Sequence, residues 1–134
     1  MRRLWTVVGA SLLVVGACSG AGSSDSAKAK EFCTRLDRLS TNDPFRAFGD
    51  RATPKEIQVA FTALVARTKE LVSVAPDELK PTARDYAKAA KALDSLMAGA
   101  AYDGSAVDAR AYRDAQTDYI AAANLLERYL DTDC

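Results

Sequence analysis

Apolar residues recur at intervals of three and four along most of this chain, from about residue 26 to residue 130. Since about 3.6 residues make one turn of an α-helix, this spacing places the apolar side chains on one side of each helix. The chain is rich in alanine, has few runs of β-branched residues and contains only four prolines. We therefore expect an all-α fold without strands.

Helix-start signals and prolines divide this region into four helices. The first is expected over about residues 26–39 and should be the shortest. Thr53-Pro54-Lys55-Glu56 is a capping box with proline at the first helical position, so the second helix begins there. Pro76 ends that helix, and the third follows after a single turn. Ser105-Ala106-Val107-Asp108 is the predicted start signal of the fourth helix, which runs to about Leu130.

Each helix has one apolar face, and the four faces are predicted to form a common core. The predicted core residues are Phe32, Cys33, Leu36 and Leu39; Ile57, Phe61, Leu64, Thr68 and Leu71; Tyr86, Ala90, Leu93 and Met97; and Ala109, Tyr112, Ala115, Tyr119, Ala122, Leu126 and Tyr129. Four amphipathic helices with short connections favour a small antiparallel four-helix bundle.

The first 17 residues have the composition of a secretory signal peptide. Met1-Arg2-Arg3 is basic, and the apolar stretch that follows over residues 4–17 is shorter than the roughly 20 residues of a membrane span. The tetrapeptide Val15-Gly16-Ala17-Cys18 resembles the lipobox of bacterial prolipoproteins. That resemblance implies cleavage before Cys18, a diacylglyceryl lipid on its thiol and anchoring to the outer face of the bacterial cytoplasmic membrane. The alternative is an ordinary signal peptide that ends nearby and leaves Cys18 unmodified.

The rest of the chain has the organisation expected after such a signal. Residues 18–26, rich in serine, glycine and alanine, are predicted to be the lipidated cysteine and a flexible tether, and residues 27–134 the bundle domain. In its alanine-rich, Arg/Asp-rich style the chain resembles small uncharacterised helical lipoproteins of high-GC Gram-positive bacteria. Loss of Arg2 and Arg3 with the signal leaves 16 basic and 18 acidic residues. A nearly neutral domain lacks the basic surface that nucleic-acid binding requires.

The two remaining cysteines, Cys33 and Cys134, are an even pair in a compartment where disulfides persist. We expect them to be bonded, which would close nearly the whole domain. The alternative is two free thiols.

The chain contains no histidine, which removes the most common general base and metal ligand. No phosphate-binding loop or calcium loop occurs either. We therefore expect no metal, no cofactor and no enzymatic activity. Carboxylate pairs such as Asp114 with Asp118, and the group Glu127, Asp131 and Asp133, are interpreted as solvated surface.

Four tyrosines, Tyr86, Tyr112, Tyr119 and Tyr129, lie on the predicted inward faces. Such a set is ordinarily core, but it also suits a ligand pocket. Small exported mycobacterial haem carriers are helical and can use tyrosine, and the chain resembles them in this respect. A carrier for a small apolar ligand such as lipid or haem is therefore an alternative function.

Residues 42–51 form the longest connection and contain Phe45 and Phe48. These rings are expected to cover the end of the core beyond the short first helix, to form a membrane-distal patch with Arg46, Arg51 and Tyr102, or to do both. The leading hypothesis is a non-enzymatic interaction module, anchored to the membrane by its N-terminal lipid, that uses this patch to bind an unknown protein of the cell envelope.

Overall fold

The computed structural model describes residues 21–43 and 51–134. Four α-helices occupy most of them: α1 (Ala21–Thr41), α2 (Pro54–Val74), α3 (Lys80–Gly99) and α4 (Ala109–Asp133). No strand occurs in these two stretches, so the predicted all-α, four-helix fold is confirmed. None of the four helices has both the length and the apolar character that a membrane span requires, as far as the described residues go.

The helices pack in chain order. α3 lies between α2 and α4 and packs extensively against both, whereas α1 packs less extensively against α2 and α4. Between α1 and α2, Arg35 pairs with Glu70 at 2.8 Å, and Arg67 donates to the carbonyl of Asn42 at 2.7 Å. The later of these two residues on the α1 side, Asn42, thus meets the earlier of the two on α2, Arg67. This reversed order is expected of neighbouring helices that run in opposite directions.

The start of α2 follows the sequence signal. The Thr53 amide donates to the Glu56 carboxylate at 2.7 Å, and the Glu56 amide donates to the Thr53 hydroxyl at 3.3 Å. Hydrogen bonds from the Thr53 amide and hydroxyl hold the pKa of Glu56 below its usual value. Pro54 occupies the first turn, where its missing N–H leaves no hydrogen bond unmade. The predicted capping box is confirmed.

Helix α1 differs from its prediction. It begins at Ala21, within the segment interpreted as a tether, and is as long as α2 and one residue longer than α3. The expectation that it is the shortest helix is wrong. No proline interrupts residues 21–41, and alanine and lysine favour helix, so the helix extends beyond its apolar face. The added residues lie mainly at the start of α1, and its other end still stops beside Arg67, with the first part of α2 continuing beyond it. Phe45 and Phe48 lie outside the described residues, so the suggestion that they cover this end of the core stays a prediction.

Helix α4 starts at a different residue from the one expected. Asp108 is the cap, because its carboxylate accepts from the amides of Arg110 and Ala111, both at 2.9 Å. These backbone hydrogen bonds lower the pKa of Asp108. Ser105 instead donates from its amide and hydroxyl to Asp103 within the preceding turn. Ala109 is therefore the first residue of the helix and is exposed, so its prediction as a core residue is wrong.

The core lies along the predicted faces of the helices. Phe32 and Leu71 are fully buried, and the ring of Phe32 meets the ring of Tyr129 edge to face at 5.9 Å. Thr68 is the one buried polar side chain in the described ranges, and its hydroxyl donates to the carbonyl of Val65. The other buried core residues include Leu36, Leu39, Phe61, Leu64, Tyr86, Ala90, Leu93, Met97, Ala122 and Leu126. The predicted faces of α1, α2 and α3 are thus largely confirmed.

A disulfide joins Cys33 to Cys134, with the Cα atoms 5.7 Å apart. It ties a residue just past the middle of α1 to the residue that follows α4. The predicted disulfide is therefore present. It attaches α1, the helix with the least extensive packing, to the rest of the bundle.

Candidate functional site

Described residues form a concave surface on each of two sides of α4, and we name each surface by its lining. The α3/α4 groove is an open depression of about 480 Å³ between these two helices. The tyrosine cleft, of about 280 Å³, lies between α1 and α4 on the other side.

Small side chains form the floor of the α3/α4 groove. Five alanines line it: Ala89, Ala92, Ala115, Ala121 and Ala122. The distance at which two helices pack depends on the side chains at their contact, so an alanine floor allows another helix to approach closely. Leu125, which is 49% exposed, lies at the edge and offers a larger apolar contact.

Charged side chains line the rims of the α3/α4 groove. Asp114 and Asp118 lie one turn apart on α4, while Asp85 and Lys88 belong to α3. The ion pairs between described residues lie elsewhere, and none uses these four side chains. The groove therefore presents three carboxylates and one ammonium group that are free to pair with a partner.

The carboxylates of the described chain do not converge into a metal site. No three acidic or cysteine side chains within residues 21–43 and 51–134 are grouped so that they could hold a metal ion. Glu127, Asp131 and Asp133 are exposed, as are Asp114 and Asp118. What the groove can do chemically is pair with positive charge and pack against an apolar surface.

The lining of the tyrosine cleft is about equally apolar and polar. Its apolar part comes from leucines of three helices: Leu36 and Leu39 from α1, Leu64 from α2, and Leu126 and Leu130 from α4. Ser40, Asp43, Asn124 and Glu127 add polar groups. Small-molecule sites usually combine apolar walls with a few polar groups; this cleft is more polar than most of them and slightly smaller.

Tyr86 of α3 and Tyr119 of α4 form a pair in this cleft. Their rings stack with centroids 4.8 Å apart, and their hydroxyl oxygens lie 2.7 Å apart in a hydrogen bond. Tyr86 is buried and Tyr119 is half-buried. Burial raises the pKa of both phenols, and the negative charges of Asp43 and Glu127 raise them further. Both hydroxyls therefore stay protonated at neutral pH.

A third depression, between α1 and α2, contains Arg35, Arg38 and Arg67. Two of these three arginines already bond to other groups of the protein. Arg35 pairs with Glu31 and Glu70, and Arg67 donates to the carbonyl of Asn42. This depression is consequently a weaker candidate for binding an external anion than its arginine content suggests.

The residues predicted to form an interaction patch are only partly described. Phe45, Arg46 and Phe48 lie outside the described residues, as does Cys18 with the lipobox. Arg51 is exposed. Tyr102 is half-buried: its ring packs 6.4 Å from that of Phe61, and its hydroxyl donates to Asp94 at 2.9 Å. Tyr102 therefore contributes to the packing where α3 ends.

Sequence reasoning found Tyr86 and Tyr119 as inward residues but not as a pair. The apolar period of a helix gives the direction of each ring, whereas their contact depends on how far α3 and α4 slide past each other. The groove was missed for a similar reason, since alanines count as weak core signals in a single helix. Comparisons of the chain with protein-family models, with curated proteins and with solved structures found no match.

Proposed function

We propose that this protein is a lipid-anchored component of a bacterial cell envelope whose helical domain is a non-enzymatic protein-interaction module. The observation that carries the proposal is the α3/α4 groove, with its alanine floor, the exposed Leu125 and three carboxylates that form no ion pair with a described residue. The partner that fits is an amphipathic helix of an envelope protein, with apolar residues on one face and lysine or arginine beside them.

Charge and size set the expected strength of this interaction. Each exposed ion pair on the rim contributes about 0–1 kcal/mol, so the alanine floor and Leu125 supply most of the contact. Exposed charges are screened by salt, and the binding should weaken as ionic strength rises. We expect a transient interaction rather than an obligate complex.

The location of the module rests on the lipobox. An acyl mass on Cys18 at the mature N-terminus, measured by mass spectrometry of protein from envelope membranes, would support the anchor. Cys18→Ala should abolish that mass and release the protein from the membrane fraction. A mature chain that begins at another residue, without lipid, would contradict this part of the proposal.

The docking surface is tested with two synthetic amphipathic helices of equal length and apolar face, one with lysines and one with glutamates beside that face. We expect the lysine helix to bind more tightly in calorimetry. Asp114→Asn with Asp118→Asn should weaken that binding, and Ala92→Trp, which fills the groove from an exposed position, should abolish it.

Ala66→Trp is the matched control, because Ala66 is an exposed alanine of α2 away from the groove. Equal binding of the two helices, or an effect of Ala66→Trp as large as that of Ala92→Trp, would overturn the assignment of the groove. A photo-reactive residue at position 121 should then cross-link one envelope protein in native membranes, and Ala92→Trp should prevent the cross-link.

A further inference from the structure

The tyrosine cleft lies on the opposite side of α4 from the α3/α4 groove, so it is a second, separate candidate binding site. Its lining includes Tyr86 and Tyr119, whose hydroxyls share a hydrogen bond. Each phenol has one O–H to donate, but only one of the two protons lies between the oxygens. The accepting hydroxyl keeps its own proton, and no hydrogen bond between described residues uses it. The pair therefore retains one donor for an acceptor from outside the protein.

Part of the cleft that contains this donor is apolar. Leu36 and Leu39 from α1 and Leu126 and Leu130 from α4 line the same cleft. Its volume of about 280 Å³ equals that of roughly nine water molecules, which corresponds to about a dozen non-hydrogen atoms of an organic ligand. A short chain or a single ring fits that space.

The charges that line the cleft limit the kinds of ligand that it can bind. Glu127 and Asp43 line the cleft, and none of the described lining residues is basic. A carboxylate or phosphate would be repelled by Glu127, and the described lining offers no cation to bind it. An ammonium group would be attracted, but it has no lone pair to accept the phenolic proton. A neutral oxygen acceptor satisfies both conditions.

We propose that the tyrosine cleft binds a small neutral molecule in which an apolar chain or ring carries a carbonyl oxygen, as in an ester, amide or ketone. The carbonyl accepts the spare hydrogen bond of the Tyr86 and Tyr119 pair, and the apolar part lies along the leucines. The site is a binding site without a covalent step. It extends the alternative function, a carrier for a small apolar ligand, by naming the site that would bind the ligand and the chemical class of that ligand.

The test compares three probes with one alkyl chain and different head groups: methyl decanoate, decanoate and decylammonium. Binding to the purified full chain is measured at neutral pH by calorimetry, and by NMR of isotope-labelled tyrosine rings. We expect the ester to bind most tightly and to shift the ring signals of Tyr86 and Tyr119. Tighter binding of either ion, binding that leaves both rings unshifted, or no binding of the ester would overturn the proposal.

Variants separate the hydrogen bond from the apolar contact. Tyr86→Phe combined with Tyr119→Phe keeps both rings and removes both hydroxyls, so the ester should bind roughly three- to tenfold more weakly, as expected for one neutral hydrogen bond. Tyr112→Phe is the matched control, because Tyr112 lies on α4 outside the cleft. Unchanged ester affinity in a folded double variant would refute the role of the hydroxyls. If that variant does not fold, the ranking of the three head groups in the unmodified protein still decides.

Discussion

Removal of the disulfide should be the most destabilising change that leaves the hydrophobic core intact. Cys33 and Cys134 are 101 residues apart in sequence, so their bond restricts nearly the whole unfolded domain. For a loop of this length the chain-entropy model gives about 4–5 kcal/mol. Domains of this size are typically stable by about 5–15 kcal/mol in total. The double variant Cys33→Ser with Cys134→Ser should thus lose about a quarter or more of its stability.

Urea unfolding followed by circular dichroism measures this loss. The oxidised protein is compared with the double serine variant, each with and without a reductant. We expect a loss of about 4–5 kcal/mol and a fall in Tm of roughly 20 °C or more. We also expect a larger m value without the bond, because the uncrosslinked chain exposes more surface on unfolding. Addition of reductant should leave the serine variant unchanged, which controls for direct effects of the reductant.

Two results would refute this reasoning. A loss below about 1 kcal/mol would show that the bond does not restrict the unfolded chain as the loop length implies. A separate early transition, in which only α1 detaches, would show that the bond acts locally on the helix that packs least extensively.

Three further predictions concern single residues. Thr53→Ala should destabilise the protein by about 1 kcal/mol in urea unfolding because the cap of α2 is lost, whereas Thr53→Ser should be nearly neutral. Ala101 has a left-handed backbone with φ of 52°, so Ala101→Gly should stabilise by about 0.5–1 kcal/mol, and a destabilised variant would contradict that strain. Burial raises the pKa of Tyr86 and Tyr119 in the folded protein, so their contribution to stability is complete below about pH 10 and is lost as pH rises through the raised pKa values. Tyrosinate absorbance from these two rings should therefore appear together with unfolding in an alkaline titration, and ionisation of both near pH 10 in the folded state would contradict their burial.

Local signals predicted the parts of the fold that depend on neighbouring residues. The start of α2 was correct because Thr53, Pro54 and Glu56 act within a single turn. The start of α4 was not, because Ser105 and Asp108 are both competent caps and the chain uses one of them. In the structure Asp103 accepts both hydrogen bonds from Ser105, so Asp108 is left to cap the helix. A choice between two adequate signals is decided by the geometry of the turn.

The sequence by itself determined the helical class and the apolar face of each helix. It also indicated the disulfide, because Cys33 and Cys134 are the two cysteines that follow Cys18 in the chain. Those properties follow from residue type and spacing along one chain segment. The tertiary structure alone decided that Tyr86 meets Tyr119 and that alanines of α3 and α4 form one groove. Both depend on the rotation and sliding of one helix against another, which the packing of all four helices fixes together and which no single helix encodes.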